Sequence, residues 1–198
     1  MISKITKYIR KYRRIVKFIE SSFLGKTRTE KIINLIKGHI KKNFKILDIG
    51  SGLCMVSKLL IDKGYNVIPL DISDQSLYKN IKPVIYKGNT FPFKDKAFDV
   101  ALILTVLHHT DRQKEILNEA RRVANKLIIV EDIYENNLQK IITYIFDSIV
   151  NLEFLGHPHS NRTHEQWINY FHNMDFKITF SKIKRFNWMF LLGVYCIE

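Results

Sequence analysis

The residues best suited to chemistry gather at three points of the chain. The first is Asp48-Ile49-Gly50-Ser51-Gly52, with Asp71 following 21 residues after Gly50. Glycines let a backbone turn sharply and let a ligand approach with no Cβ in the way. An acid at about that distance is placed to accept hydrogen bonds from ribose hydroxyls. Gly-x-Gly alone is a weak signal. A strand, a glycine turn, a helix, a second strand and a terminal acid together point to an adenosine-type ligand. Asp48, within the same segment, either belongs to the ligand site or caps the turn. The second point is His108-His109. An imidazole with an ordinary pKa near ~6.5 can remove a substrate proton at neutral pH; the alternative is that both rings shape a pocket or bond the following loop.

The third point is His157, His159 and His164. A zinc site needs three or four converging ligands, and His157-Pro158-His159 has no established metal spacing, so these histidines are expected at a pocket mouth and no metal is expected. Cys54 and Cys196 are far apart, which argues against a disulfide scaffold or a metal pair and for a reducing cytoplasm. Trp167, Tyr170 and Phe171 read as core, and Asp99 as a loop-holding acid.

These residues need a scaffold that brings strand ends together. Lys45 to Ile49 reads as a short buried strand, Met55 to Lys63 as a helix stopped by Gly64, and Val67 to Leu70 as a second strand. Ser73 is placed to cap a short helix through Tyr78, and Pro83 to Tyr86 suggests a third strand. The apolar run Phe98 to Leu107 is that of a central strand covered on both faces. Thr110-Asp111-Arg112-Gln113 matches a capping box opening a helix through Val123, and Lys126 to Val130 makes the next strand. Strand and helix thus alternate at βαβ spacing, which implies a mostly parallel sheet with helices on both faces. Beyond it come an apolar-rich helix from Leu138 to Phe154, a second capping box at Thr163-His164-Glu165-Gln166 and a helix through Asn173. Phe176 to Ile183 and Trp188 to Ile197 follow, two strands whose very short connection near Arg185-Phe186-Asn187 requires an antiparallel pair.

The net charge of +13 is unevenly spread. Residues 1–45 hold fourteen Lys or Arg against two acids, and the remainder hold eighteen against seventeen. Ile2, Ile5, Ile9, Tyr12, Val16, Ile19 and Phe23 recur at helical spacing among those cations, so residues 2–23 read as an amphipathic helix, with Gly25 as its stop and a second helical pattern after Thr27. The division expected is a basic helical extension, residues 1–43, packed on a catalytic domain, residues 44–198. The apolar stretches fall short of the ~20 residues that cross a bilayer, and the N-terminus lacks the pattern of a signal peptide. A cytoplasmic protein is expected, with residues 1–23 able to rest on an anionic membrane surface.

Four blocks in order resemble the class I S-adenosylmethionine-dependent methyltransferases, especially the small-molecule type. Ile46-Leu47-Asp48-Ile49-Gly50-Ser51-Gly52 is similar to that family's first motif and Val67-Ile68-Pro69-Leu70-Asp71-Ile72-Ser73 to its second. Gly88-Asn89-Thr90-Phe91-Pro92-Phe93 resembles the loop edging the adenine, and Phe98 through His109 the fourth-strand block. The resemblance spans roughly residues 44–198. It implies a Rossmann-like seven-stranded, mostly parallel sheet with helices on both faces and an antiparallel C-terminal strand pair. It also implies S-adenosylmethionine as cofactor, bordered by Asp48, Gly50, Ser51 and Gly52, with Asp71 and Ile72 at the ribose and adenine. Asn89 and Thr90 would lie beside the adenine and Thr105 beneath the cofactor, with His108 and His109 as candidates for the base. Two residues depart from the pattern. Cys54 stands where a third glycine is common, and Asn89 replaces the more usual Asp, keeping an acceptor but not its charge.

Three functions follow from this pattern: methylation of a small-molecule or lipid-like acceptor, methylation of nucleic acid, and cofactor binding without catalysis. Base amino-group methylases carry an Asn/Asp-Pro-Pro-aromatic segment after the fourth strand; here the chain reads Leu104-Thr105-Val106-Leu107-His108. The leader interleaves aliphatics with its cations, as interfacial helices do, whereas a base-stacking platform shows exposed aromatics. Nucleic acid is therefore the less favoured partner.

Overall fold

A computed structural model describes residues 23–87, 90–141, 160–185 and 190–198, with side chains from Thr27 onward. Most of the helix expected over residues 2–23 lies outside the described residues. So do Gly88, Asn89, His157, His159, the turn at Phe186-Asn187 and all but the start of the helix expected from Leu138.

Seven strands form one sheet, and the helices lie between them in sequence. The elements are α1 (Phe23–Ile36), β1 (Lys45–Ile49), α2 (Met55–Asp62), β2 (Asn66–Asp71), β3 (Val84–Ile85), β4 (Phe98–Leu104), α3 (Gln113–Val123), β5 (Ala124–Ile133), α4 (His164–His172), β6 (Ile178–Arg185) and β7 (Leu191–Ile197). Across the sheet the order is β3-β2-β1-β4-β5-β7-β6. The first five of these pair in parallel, and β7 runs antiparallel to both β5 and β6. The strand order reverses between β1 and β4, which opens a ligand crevice at their carboxyl ends.

The apolar run of β4 alternates between two cores. Val100, Leu102 and Leu104 face Ile32, Ile33, Ile36 and Leu60 from α1 and α2. Ala101 and Ile103 face Leu117 and Ala120 of α3 and Trp167 and Phe171 of α4. Ile36 has no exposed surface, and burying such a side chain contributes about 1.5–3 kcal/mol. Those aliphatics make α1 part of the same core as the sheet.

The structure departs from sequence expectation at four places. Gly25 does not stop a helix, because α1 runs through it. No helix follows Ser73: its N–H and that of Ser76 donate to the carboxylates of Asp71 and Asp74, and such local bonds compete with helical ones. The Thr110 capping box does not form. Thr110 Oγ1 accepts from Arg112 N at 3.0 Å, and the Gln113 side chain turns inward to Leu107 O and Ser160 Oγ, both at 2.7 Å. Finally, β4 ends at Leu104 rather than Leu107, because Thr105 takes a φ of 55° and turns the chain out of the sheet. The Thr163 capping box is present in full, Thr163 accepting from Gln166 N and the Gln166 side chain accepting from Thr163 N.

Candidate active site

The crevice is built on the turn after β1. Gly50 N and Ser51 N both donate to Leu70 O, at 2.9 and 3.1 Å. Gly52 N donates to Asp71 Oδ2 at 2.8 Å, so the turn is tied to the end of β2. Gly50 has φ 70°, and a Cβ there would stand 2.7 Å from a methyl of Val106. The β1 and β4 loops can approach this closely only over glycine. At Gly52 an added Cβ would meet nothing within 4 Å, so the space above the turn is open. With these three N–H groups spent inside the protein, the turn is poorly suited to a pyrophosphate, which needs such donors.

Asp71 and Asp48 share this neighbourhood but take different parts. Asp71 is largely buried, and its two oxygens accept from Gly52 N and Ser73 N. A carboxylate offers about four lone-pair sites, so acceptor capacity is left for a diol. Ile72 beside it is 67% exposed, an apolar side chain at the rim. Asp48 lies below the turn, its Oδ2 accepting from Ser57 Oγ of α2 at 2.6 Å. Burial pushes the Asp48 carboxyl up to about 6; the Ser57 bond opposes that shift and the Asp71 charge adds to it. Its side chain thus ties the end of β1 to the helix that follows the turn. Cys54, buried, holds φ 59° just before α2. Thr105 is also left-handed, a conformation unusual for a β-branched residue and costing about 1–3 kcal/mol. Its N–H is held by Val130 O at 2.6 Å. Thr90 is exposed.

His108 and His109 sit in a short 3-10 turn after β4 with ring centroids 3.9 Å apart. His108 is buried, and its Nδ1 lies 2.5 Å from Glu131 Oε2 at the end of β5. A carboxylate only accepts, so Nδ1 carries the proton and Nε2 is the basic nitrogen of the neutral ring. Glu131 has no exposed surface; its other oxygen accepts from Val106 N at 3.0 Å and Leu107 N at 2.8 Å. Burying a carboxylate costs several kcal/mol unless it is paired and hydrogen-bonded, and here three donors meet it. His109 is only partly buried.

Sequence reasoning missed Glu131, Gln113 and Arg162. Arg162 Nη1 donates to Gln113 Oε1 at 2.7 Å, and its guanidinium lies over the rings of Trp167 and Tyr170. The available signal was an acid pair, Glu131-Asp132, ending a strand as apolar as Leu127 to Val130. His164 bonds the Tyr195 hydroxyl at 3.1 Å, and burial lowers its pKa. Asp99 holds Lys45 N at 2.7 Å, as a loop-holding acid does.

Comparison with known proteins agrees with this fold. Residues 47–127 match the family described as a methyltransferase domain. Two uncharacterized proteins of Methanocaldococcus jannaschii are 36% identical over 99 residues and 39% identical over 97, stretches covering 48% and 46% of this chain. Those matches span 45% and 41% of the relatives' lengths, less than half of each. Among solved structures, a SAM-dependent methyltransferase from Methanosarcina mazei superposes with TM-score 0.65 at 20% identity, over 83% of this chain and 96% of its own. One from Aquifex aeolicus gives 0.65 at 15% identity, over 93% and 97%. Magnesium protoporphyrin IX methyltransferase from Synechocystis, solved with bound SAH, gives 0.61 at 13%, over 96% and 87%. At these identities the structural likeness establishes the fold.

Proposed function

We propose that this chain, a member of the class I S-adenosylmethionine-dependent methyltransferase family by its matched domain and its sheet, methylates a small-molecule or lipid-like acceptor. The observation that carries the reading is the turn at Gly50-Ser51-Gly52. It is tied to β2 through its own N–H groups, open above Gly52, and flanked by the Asp71 carboxylate and the exposed Ile72. That surroundings suits a nucleoside with an uncharged linkage better than a dinucleotide. Gly50, Ser51 and Gly52 would border the amino-acid part of the cofactor, Asp71 would accept from the ribose hydroxyls, and Ile72, Asn89 and Thr90 would edge the adenine. Thr105 would lie beneath it. When bound, the cofactor supplies an electrophilic methyl group.

The chain's own work is to position the acceptor and take up its proton. Orientation alone is worth several kcal/mol of barrier, on the order of 7–11 in the best cases. Glu131 fixes the His108 ring, and the His108–His109 pair stands at the end of β4, where an acceptor proton would be received. A hydrophobic acceptor is supported by Leu138 and Ile141, which are 68% and 56% exposed just beyond β5. Residues 1–23, with their cations and aliphatics, would bring the protein to an anionic membrane surface. Among the described residues no helix is long and apolar enough to cross a membrane.

Calorimetric titration tests the cofactor site. Asp71→Ala removes a bidentate ribose contact and is expected to weaken S-adenosylmethionine binding by about 1.5–3 kcal/mol, the range for hydrogen bonds to a charged group. Unchanged affinity in the folded variant would place the site elsewhere. Transfer of labelled methyl to total RNA, with none to a panel of apolar and polar small molecules, would replace the acceptor assignment with nucleic acid.

A further inference from the structure

The turn that carries His108 and His109 has few bonds of its own. It is a single 3-10 turn, Leu107–His109, with His109 N donating to Val106 O at 3.1 Å and Thr110 N to Leu107 O at 3.4 Å. Such turns bond with poorer geometry than an α-helix. The left-handed Thr105 just before it persists only where its surroundings over-determine it. Glu131 supplies half of that restraint, on the N–H side, through Val106 N, Leu107 N and the His108 ring.

The carbonyl side is held by Gln113, the buried first residue of α3. Its partners settle which way the amide points. A guanidinium can only donate, so the atom facing Arg162 Nη1 at 2.7 Å is the amide oxygen. The amide nitrogen then donates to Leu107 O and to Ser160 Oγ, both at 2.7 Å. Ser160 Oγ accepts that bond and directs its own proton to His108 O at 3.3 Å, while Ser160 N donates to the same carbonyl at 3.5 Å. Donation therefore runs one way, from Arg162 through Gln113 and Ser160 to the His108 carbonyl, an order in which each bond polarises the next. Arg162 is fixed at the far end by the Trp167 and Tyr170 rings, whose centroids lie 4.5 and 4.3 Å from its guanidinium carbon. Its backbone is bridged to Ile133 of β5.

We infer that Gln113 is a positioning residue for the uptake of the acceptor's proton. It fixes the Leu107 carbonyl and aims Ser160 at that of His108, and so keeps the His108 ring turned with Nδ1 on Glu131 and Nε2 as the basic nitrogen. The inference rests on the reading of His108 as the group that receives that proton. Among the described residues Gln113 bonds nothing in the Gly50–Gly52 turn or at Asp71. Its effect is therefore confined to the acceptor half of the site.

Histidine tautomers can be read directly by nitrogen NMR of the full-length protein labelled in its histidine rings, the His108 signal being identified by its loss in His108→Asn. In the wild type the Nδ1–H form should predominate. Gln113→Leu removes all three amide bonds at similar size and should shift the His108 signal toward the Nε2–H form. Gln113→Glu, ionised, keeps an acceptor for Arg162 but cannot donate to Leu107 O or Ser160 Oγ. It should shift the signal the same way while holding more of the melting temperature, so the reading survives if Gln113→Leu fails to fold. Phe171→Leu thins the neighbouring core without touching these bonds; it should lower the melting temperature and leave the signal in place. Calorimetry with S-adenosylhomocysteine should give both Gln113 variants wild-type affinity. An unmoved His108 signal in the Gln113 variants, or an equal shift in Phe171→Leu, would overturn the proposal and make Gln113 a packing residue. Loss of S-adenosylhomocysteine affinity in the Gln113 variants would place the residue in the cofactor half and overturn it too. A wild type that binds no S-adenosylhomocysteine would instead overturn the methyltransferase reading, and this role with it.

Discussion

Asp48 gives the sharpest quantitative test, because it needs neither cofactor nor acceptor. Its carboxyl titrates near 3.8 in an unfolded chain and is pushed up to about 6 in the folded one, chiefly by burial. Below the lower value it is protonated in both states and contributes nothing. As pH rises between the two values, the unfolded chain releases its proton first. The native state then holds more protons, so stability falls with rising pH through that window. Above about 6 the loss is complete. A gap of about two pH units, at about 1.4 kcal/mol each, amounts to about 3 kcal/mol. Asp48→Asn removes the titration and keeps a carbonyl to accept from Ser57 Oγ, now 2.6 Å from the carboxylate. Urea unfolding of both proteins from pH 3 to pH 8 should show equal stability near pH 3 and a variant about 3 kcal/mol more stable above pH 6.5. Parallel curves across the whole range would refute the reasoning. A cationic cofactor above the turn should favour the ionised Asp48. The same variant should therefore bind S-adenosylmethionine less tightly at pH 7.5 while binding its uncharged-sulfur product as before.

Three further outcomes follow from the same geometry. Gly50→Ala places a Cβ 2.7 Å from Val106 at a φ of 70° and should cost at least about 1–3 kcal/mol in denaturant unfolding; adding Val106→Ala should recover the steric part and leave the backbone part. Glu131→Gln presents an amide donor to His108 Nδ1 in place of an acceptor, so the methyl-transfer rate should fall by about 10²–10⁴ if His108 is the base, with cofactor affinity kept. A combined Glu131→Gln/His108→Ala enzyme no slower than His108→Ala alone would show that Glu131 acts through His108, and additive losses would show that it does not. Thr105→Gly relieves a left-handed β-branched residue and should stabilise the fold by up to about 1 kcal/mol if the site tolerates the added freedom, which thermal unfolding would report.

The periodic elements were legible in the sequence because each records a local requirement. Alternating burial on β4 demanded an apolar run, and the glycines after β1 recorded a turn whose partner, Val106, is 56 residues from Gly50. Thr163 and Gln166 formed their capping box, and among the described residues no other group bonds either side chain. Thr110 and Gln113 have the same residue types, yet the Gln113 amide is drawn to Leu107 O and Ser160 Oγ and abandons the cap. Ser73 fails as a cap for a similar reason, with its Oγ accepting from the Gln75 side chain instead of a backbone N–H. The Glu131–His108 pair was invisible because nothing links 108 to 131 in sequence. The contact exists because β4 and β5 are neighbours in parallel register, Leu104 beside Val130, which sets the residue after Val130 against the turn that follows Leu104.

The bridge between Ile133 and Arg162 has a consequence for how such a protein can change. It joins the end of β5 to the approach of α4 as adjacent parallel backbone, so the chain leaves the sheet and returns to it at nearly one point. The cost of closing a loop grows only slowly with length, about 0.6 kcal/mol for each doubling. Residues 134–161 therefore form an exchangeable cassette: a longer or shorter insert between the same two anchors would leave the strand register, the glycine turn and Asp71 where they are.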